Sequence, residues 1–303
     1  MSTDVLEPTE TTTPPVVHGY FDEPTNAVSY ILKDPASNAC AIIDSVLDFC
    51  HASGTISHEA ADALLAETER LGLDVAWVLE THIHADHLSA APYLAEKTGA
   101  KLGIGSRIGE VQEVFGKVFN AGTAFEMDGS QFDQLFDDGD TFSIGNLDVR
   151  VIQTPGHTPA CITYVAGDAA FIGDTLFMPD FGTARADFPG GDARALYRSI
   201  QKILSLPDKT RLFLCHDYKA PGRDEFCWET SVAEEKANNI HVGGGKTEDE
   251  FVAFRTARDK QLSMPKLIIP SIQVNMRAGH LPPPEDDGEV YLKIPINRLG
   301  GAS

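Results

Sequence analysis

The sequence predicts an α+β fold in which two blocks of strands stack as a sandwich. Apolar runs of strand length, bounded by turn residues, gather in an N-terminal and a central block. Segments with helical periodicity lie between and after them. Candidate ligands recur at or just past strand ends, at His82, His157, Asp174 and His216, which places them along one edge of the sandwich.

Residues 1–15, rich in Thr, Glu and Pro, are expected to form a disordered tail. Strands follow over 16–21, 27–32 and 38–44, the first two joined by the turn residues 22–26. Asp44 closes the third strand, either supporting a site or capping the next turn. Residues 58–71 repeat apolar side chains at helical spacing and stop at Gly72. A buried strand over 74–80 leads into residues 81–87, and a helix is expected to begin at 88–96. A short strand at 101–104, a helix at 107–119 and a Gly- and Asp-rich loop at 120–134 come next. Leu147–Ile152 alternates as a strand and runs into Thr154-Pro155-Gly156-His157-Thr158. A hairpin pairs 161–165 with 169–173, and 211–215 is a further strand. Helices are expected at 192–204, 229–238 and 247–262, the last opened by the capping-box pattern Thr247-Glu248-Asp249-Glu250. Gly243-Gly244-Gly245 reads as a flexible link, and 281–287 as an exposed extended element.

The 303 residues carry a formal net charge of -21 and are 42% hydrophobic. That is a globular composition whose charge disfavours nucleic acid and anionic membrane as partners. No apolar run approaches the ~20 residues of a membrane span. The acidic opening resembles neither a secretory signal nor a transit peptide, so a cytoplasmic protein is expected. The five cysteines, Cys40, Cys50, Cys161, Cys215 and Cys227, are odd in number and scattered, as expected of reduced thiols. Cys161 is expected beneath His157 in the hairpin. His51 and His58 are given no role.

The richest stretch is Thr81-His82-Ile83-His84-Ala85-Asp86-His87. It sits between a strand and a helix, where a rigid element can aim side chains into a cleft. Residues two apart on an extended segment point the same way, so His82 and His84 can converge while Asp86 and His87 reach a second point. Imidazole and carboxylate suit Zn, Fe, Mn or Co.

Together with Thr154–Thr158, Gly173-Asp174-Thr175-Leu176-Phe177 and Cys215-His216-Asp217-Tyr218, this stretch resembles the metallo-β-lactamase superfamily, over most of residues 16–220. The resemblance implies an αββα sandwich with the metal at the shared edge of two sheets. It implies a catalytic domain over 16–240, and a C-terminal helical and extended extension over 241–303 packed on it. Arg185-Ala186-Asp187-Phe188, the stretch His216-Asp217-Tyr218-Lys219 to Trp228, and Val274-Asn275-Met276-Arg277-Ala278-Gly279 further resemble the persulfide dioxygenases, mononuclear iron relatives of glyoxalase II. That resemblance implies oxidation of glutathione persulfide by O2 to sulfite and glutathione. One Fe(II) per chain would be held by His82, His157 and Asp174, and a homodimer is expected. His84, Asp86, His87 and His216 would orient ligands or bond the substrate, and Arg185, Tyr218, Lys219, Arg223 and Arg277 would grip glutathione. The alternative is a dizinc thioester hydrolase of the glyoxalase II kind. There His82, His84 and His157 hold one zinc, Asp86, His87 and His216 the other, and Asp174 bridges.

Overall fold

The computed structural model describes residues 13–299, so residues 1–12 of the expected tail lie outside it. The chain opens with β1 (Val16–Asp22), β2 (Ala27–Lys33) and β3 (Ala39–Ile43), then β4 (Val46–Cys50), β5 (Thr55–Ser57) and α1 (Glu59–Arg70). Next come β6 (Asp74–Leu79), β7 (Leu88–Ser89), α2 (Ala91–Thr98), β8 (Lys101–Gly105), α3 (Ile108–Val118) and β9 (Gln134–Phe136). The central block is β10 (Thr141–Ile144), β11 (Leu147–Gln153), β12 (Ile162–Ala166) and β13 (Ala169–Phe171), followed by α4 (Ala193–Leu204), β14 (Arg211–Phe213) and β15 (Glu229–Ser231). Helices α5 (Val232–Asn238), α6 (Glu248–Asp259) and α7 (Ile268–Asn275) complete it.

Two six-stranded sheets form, ordered β1-β2-β3-β6-β8-β9 and β10-β11-β12-β13-β14-β15. Alternation along each strand divides the core. Val28, Tyr30, Leu32, Ala41 and Ile43 face Val149, Val151, Tyr164 and Phe171 between the sheets. Their neighbours Ile31, Cys40 and Ile42 pack outward under α1, α2, α3 and α7. On the far side Ile152, Val165 and Leu212 pack under α4, with Val232 of α5 and Phe251 of α6. The layers therefore read helices, sheet, sheet, helices: the expected αββα sandwich. Inner strands buried on both faces explain the near-continuous apolar runs.

Some boundaries moved for local reasons. Leu88–Ser89 pairs with β4, so α2 begins only at Ala91, with Pro92 in its first turn. Glu229–Ser231 pairs antiparallel with β14 instead of starting a helix, and Ser231 then caps α5 by accepting from Glu234 N. Gly243–Gly245 forms a 3₁₀ turn. The Thr247/Glu250 capping box is present at α6. No helix among the described residues is long and apolar enough to cross a membrane.

Candidate metal centre

The loops at one end of the two sheets carry the cluster. Residues 80–87 follow β6, His157 follows β11, Asp174 follows β13 and His216 follows β14. Two glycines make the approach possible. Gly156 has φ +140°, and a Cβ there would stand 2.2 Å from Leu196 N of α4. Gly173 has φ +51°, and its Cβ would stand 2.5 Å from Thr81 Oγ1. Both positions combine left-handed backbone with close approach, which only glycine meets without strain.

Donor atoms of His82, His157 and Asp174 all lie within 4.8 Å of one another. Asp174 Oδ2 is 3.6 Å from His157 Nε2 and 4.0 Å from His82 Nε2. Its Oδ1 is 3.6 Å from His216 Nε2, which in turn is 3.2 Å from Asp86 Oδ2. The rings of His87 and His216 are 6.4 Å apart. All of these groups are buried except Asp86, which is half-buried.

Whether this pocket fits a cation can be read from its hydrogen bonds. His82 Nε2, Asp86 Oδ2, His87 Nε2, Asp174 Oδ1 and His216 Nε2 are buried without a hydrogen-bond partner. A buried polar atom left so costs about 1–3 kcal/mol, and five in one place call for a cation between them. The opposite ring nitrogens are all engaged. His87 Nδ1 meets Leu88 O at 3.1 Å, His157 Nδ1 meets Arg185 O at 2.9 Å, and His216 Nδ1 meets Asn26 O at 3.1 Å. A carbonyl only accepts, so Nδ1 carries the proton in each, and Nε2 of a neutral ring presents its lone pair inward. For His82 the same result comes through a relay. The Asp44 carboxylate accepts the Thr81 hydroxyl proton at 2.8 Å. Thr81 Oγ1 must then accept from His82 Nδ1 at 3.0 Å. Burial, followed by the neighbouring imidazoles, holds His82 well below its ordinary pKa, so the ring is neutral.

His84 is held differently. Its Nε2 meets Glu80 Oε2 at 2.9 Å and Asp44 Oδ1 at 3.2 Å, and its Nδ1 lies 3.9 Å from Cys215 Sγ. Burial works against a charged ring, but the carboxylates of Asp44 and Glu80 outweigh it and raise its pKa well above the ordinary value. Burial would also raise the Asp44 carboxyl, but His84 and Thr81 draw it below the usual range. Glu80 is left raised, chiefly by burial. Asp44 thus supports the cluster rather than merely closing a turn, and it does so from a left-handed φ of 54°. Cys161 is buried as expected, just before β12 and with its Sγ 3.3 Å from Thr158 N, its thiol pushed up to about 12 by burial.

The cluster opens into a cleft of about 1120 Å³ lined by Asp86, His157, Asp174, Tyr218, Arg185 and the aromatic rings of Phe177, Phe181 and Phe188. Of the basic residues singled out in sequence, only Arg185 lines this cleft. Its guanidinium is already forked onto Asp187 and donates to Ser263 O. Arg223 is taken up by Asp180 and Asp217. Lys219 lies over the Phe226 ring at 4.2 Å, and Arg277 over Phe125 at 4.4 Å while donating to Gln273 O. These three were singled out by motif position, and local partners turn them elsewhere. The cleft instead gathers Arg255, Arg258 and Lys266 from the C-terminal segment, and His51 from the β4–β5 turn. Arg255 is buried and paired with Asp259. Arg258 and Lys266 are exposed and make no ion pair with a described residue. Sequence reading missed Glu80, Thr81, Asn26, Arg258 and Lys266. The Arg255/Asp259 spacing of four on a helix was a legible signal, but nothing local marks which helix face meets the cleft.

The metallo-beta-lactamase superfamily model matches residues 22–216. A Burkholderia pseudomallei protein named "Probable metallo-hydrolase" is 57% identical over 293 residues, covering 93% of this chain and 99% of that one. "Glyoxylase B2" of Dictyostelium discoideum is 49% identical, covering 89% of this chain and 92% of its own. The crystal structure of ETHE1 from Myxococcus xanthus superposes with a TM-score of 0.69 at 32% identity, over 88% of this chain and 100% of that one.

Proposed function

Given that the chain belongs to the metallo-β-lactamase superfamily, we propose that it is an iron(II)-dependent persulfide dioxygenase. Glutathione persulfide, O2 and water would give glutathione and sulfite. The observation that carries this reading is the three-donor group His82, His157 and Asp174 beside a His84 fastened by two carboxylates. Two imidazoles and one carboxylate are a donor set that suits ferrous iron, and they would leave room on it for two further ligands. The likeness to the Myxococcus ETHE1 structure supports the same choice, as does a 28% identity, over 89% of this chain and 91% of the other, to the Mus musculus protein named "Persulfide dioxygenase ETHE1, mitochondrial".

Bound there, ferrous iron would supply the one-electron chemistry with O2 that no side chain has. The protein does the rest. Thr81 and the Arg185 carbonyl keep His82 and His157 in the tautomer with Nε2 bare. Phe177, Phe181 and Phe188 line the approach with apolar surface that thins the water around the reacting sulfur. Glutathione carries two carboxylates, and a chain of net charge -21 repels it unless local cations intervene. Arg258 and Lys266 are free for that task, and Tyr218 offers a phenol beside the cluster.

A second reading is a dizinc thioester hydrolase. It is favoured by the unpartnered Asp86 Oδ2, His87 Nε2 and His216 Nε2, which could serve a second ion bridged by Asp174. Metal analysis of protein purified without added metal, beside an oxygen-electrode trace with glutathione persulfide, tests the two. About one iron per chain with O2 uptake is the expected result. About two zinc per chain, a flat trace and hydrolysis of S-lactoylglutathione would overturn it.

A further inference from the structure

The motif Val274–Gly279 contributes no donor to the metal cluster, yet it is built against the turn that does. Asn275, at the end of α7, is 2% exposed. Its Nδ2 donates to His84 O at 2.9 Å and to His87 O at 2.8 Å, and its Oδ1 accepts from Ser89 N at 2.8 Å. Both amide protons and the amide oxygen are thus used on one six-residue turn, from a position 186–191 residues away in sequence. Ser89 then donates through Oγ to Glu80 Oε1 at 2.6 Å, and Glu80 holds His84. Gly279, with φ +84°, lets the motif lie on this turn: a Cβ there would stand 2.8 Å from Ser89 O and 2.5 Å from Pro92 Cδ. The carbonyls that Asn275 grips belong to the turn's two histidines, His84 and His87, and Asp86 lies between them.

We propose that Asn275 is a positioning residue of the metal centre. Through it, α7 fixes the backbone of residues 84–89, and with it the aim of Asp86 and His87, so that metal retention depends on the C-terminal helix. The proposal rests on the cluster's being a metal site: with one iron on His82, His157 and Asp174 the gripped turn follows directly on His82 and acts as outer support, and with two zincs its Asp86 and His87 are themselves ligands. A side chain that holds ligand-bearing backbone acts as outer support for a metal, and loss of such support typically weakens binding 10- to 100-fold.

The test compares the full-length chain with Asn275→Ala, Asn275→Asp and Gln273→Ala. Asn275→Asp keeps an acceptor for Ser89 N but sets an oxyanion against two carbonyls. Gln273 sits on the same helix and bonds Ile269 and Lys293 instead of the turn, so it reports general loosening of α7. Metal loss to excess chelator and hydrogen exchange at the Ser89 amide are followed together. Both Asn275 variants should lose metal about 10- to 100-fold faster than wild type and exchange Ser89 faster. Gln273→Ala should keep the wild-type rates even where its melting temperature falls as far. Asn275 variants that retain metal at the wild-type rate would overturn the proposal, as would Gln273→Ala losing it equally fast. Wild-type protein that holds no metal would overturn the reading of the centre itself, a separate outcome. Should Asn275→Ala fail to fold, Asn275→Asp alone decides.

Discussion

Replacing Asp44 by Asn changes one atom's chemistry and should reach the metal through two hydrogen bonds. Asn tolerates the left-handed φ of 54° at this position, so backbone strain does not confound the result. The carboxamide oxygen can keep the Oδ1 contacts to Thr81 N at 2.7 Å and His84 Nε2 at 3.2 Å. Its NH2 then takes the place of Oδ2, 2.8 Å from Thr81 Oγ1. An NH2 donates, so the Thr81 hydroxyl accepts there and loses Oδ2 as the acceptor of its own proton, which is expected to turn towards His82 Nδ1, 3.0 Å away. His82 Nδ1 becomes an acceptor and its proton moves to Nε2, the atom facing the cluster. A protonated Nε2 has no lone pair for a metal. The expected cost is that of losing outer support, about 10- to 100-fold in metal affinity, or about 1.4–2.7 kcal/mol. Chelator competition measures the affinity, and imidazole ¹⁵N shifts of the metal-free protein report which nitrogen of His82 carries the proton. Thr81→Ser, which preserves the hydroxyl, should behave as wild type. Asp44→Asn protein that keeps His82 protonated at Nδ1 and binds metal within twofold of wild type would refute the relay.

Other consequences are more direct. Arg258→Ala and Lys266→Ala should each raise KM for glutathione persulfide about tenfold, the worth of one charge-assisted contact at about 1.4 kcal/mol, while kcat stays within twofold; an unchanged KM in both places the substrate's carboxylates elsewhere. Gly156→Ala drives a methyl to within 2.2 Å of Leu196 N from a φ of +140°, so thermal or urea unfolding should show a loss of at least about 2 kcal/mol; near-wild-type stability would mean the loop can yield. Glu235 is fully buried, and burial, aided by Asp180 and Glu234 against one bond from Asn239, raises its carboxyl to about 8. The unfolded chain releases that proton near pH 4.5 while the folded one keeps it to about 8, so Glu235 makes stability fall as pH rises across that window. Glu235→Gln should remove the slope, at about 1.4 kcal/mol per pKa unit, and raise the melting temperature more at pH 8 than at pH 5; an equal shift at both would place the carboxyl in the ordinary range.

The sequence by itself determined which residues share a face of each strand and helix and the identity of the cluster, and the layered order came from the resemblance its motifs carry. Val28, Tyr30 and Leu32 alternate with Ile31 in a period of two, and Leu196, Ile200 and Ile203 recur at helical spacing. Such periods dictate which residues share a face whatever the partner is. The cluster was legible because His82, His84, Asp86 and His87 crowd one turn and because histidine and carboxylate recur after strands. Tertiary structure decided what those groups do. Asn275 and Asp44 reach the same turn from 37 to 191 residues away, a distance over which no local pattern carries information. Imidazole tautomers are set by whichever group meets the second nitrogen, a carbonyl from Asn26 or Arg185 or the Thr81 hydroxyl, and none of these has a signature in sequence. The basic residues show the same division. Arg223 and Arg277 sit in recognisable motifs yet satisfy carboxylates, carbonyls and aromatic rings close by, whereas Arg258 and Lys266 sit in an unmarked segment and face the cleft. A guanidinium or ammonium on a long stem goes to the partner that packing offers it, and packing exists only once the chain has folded.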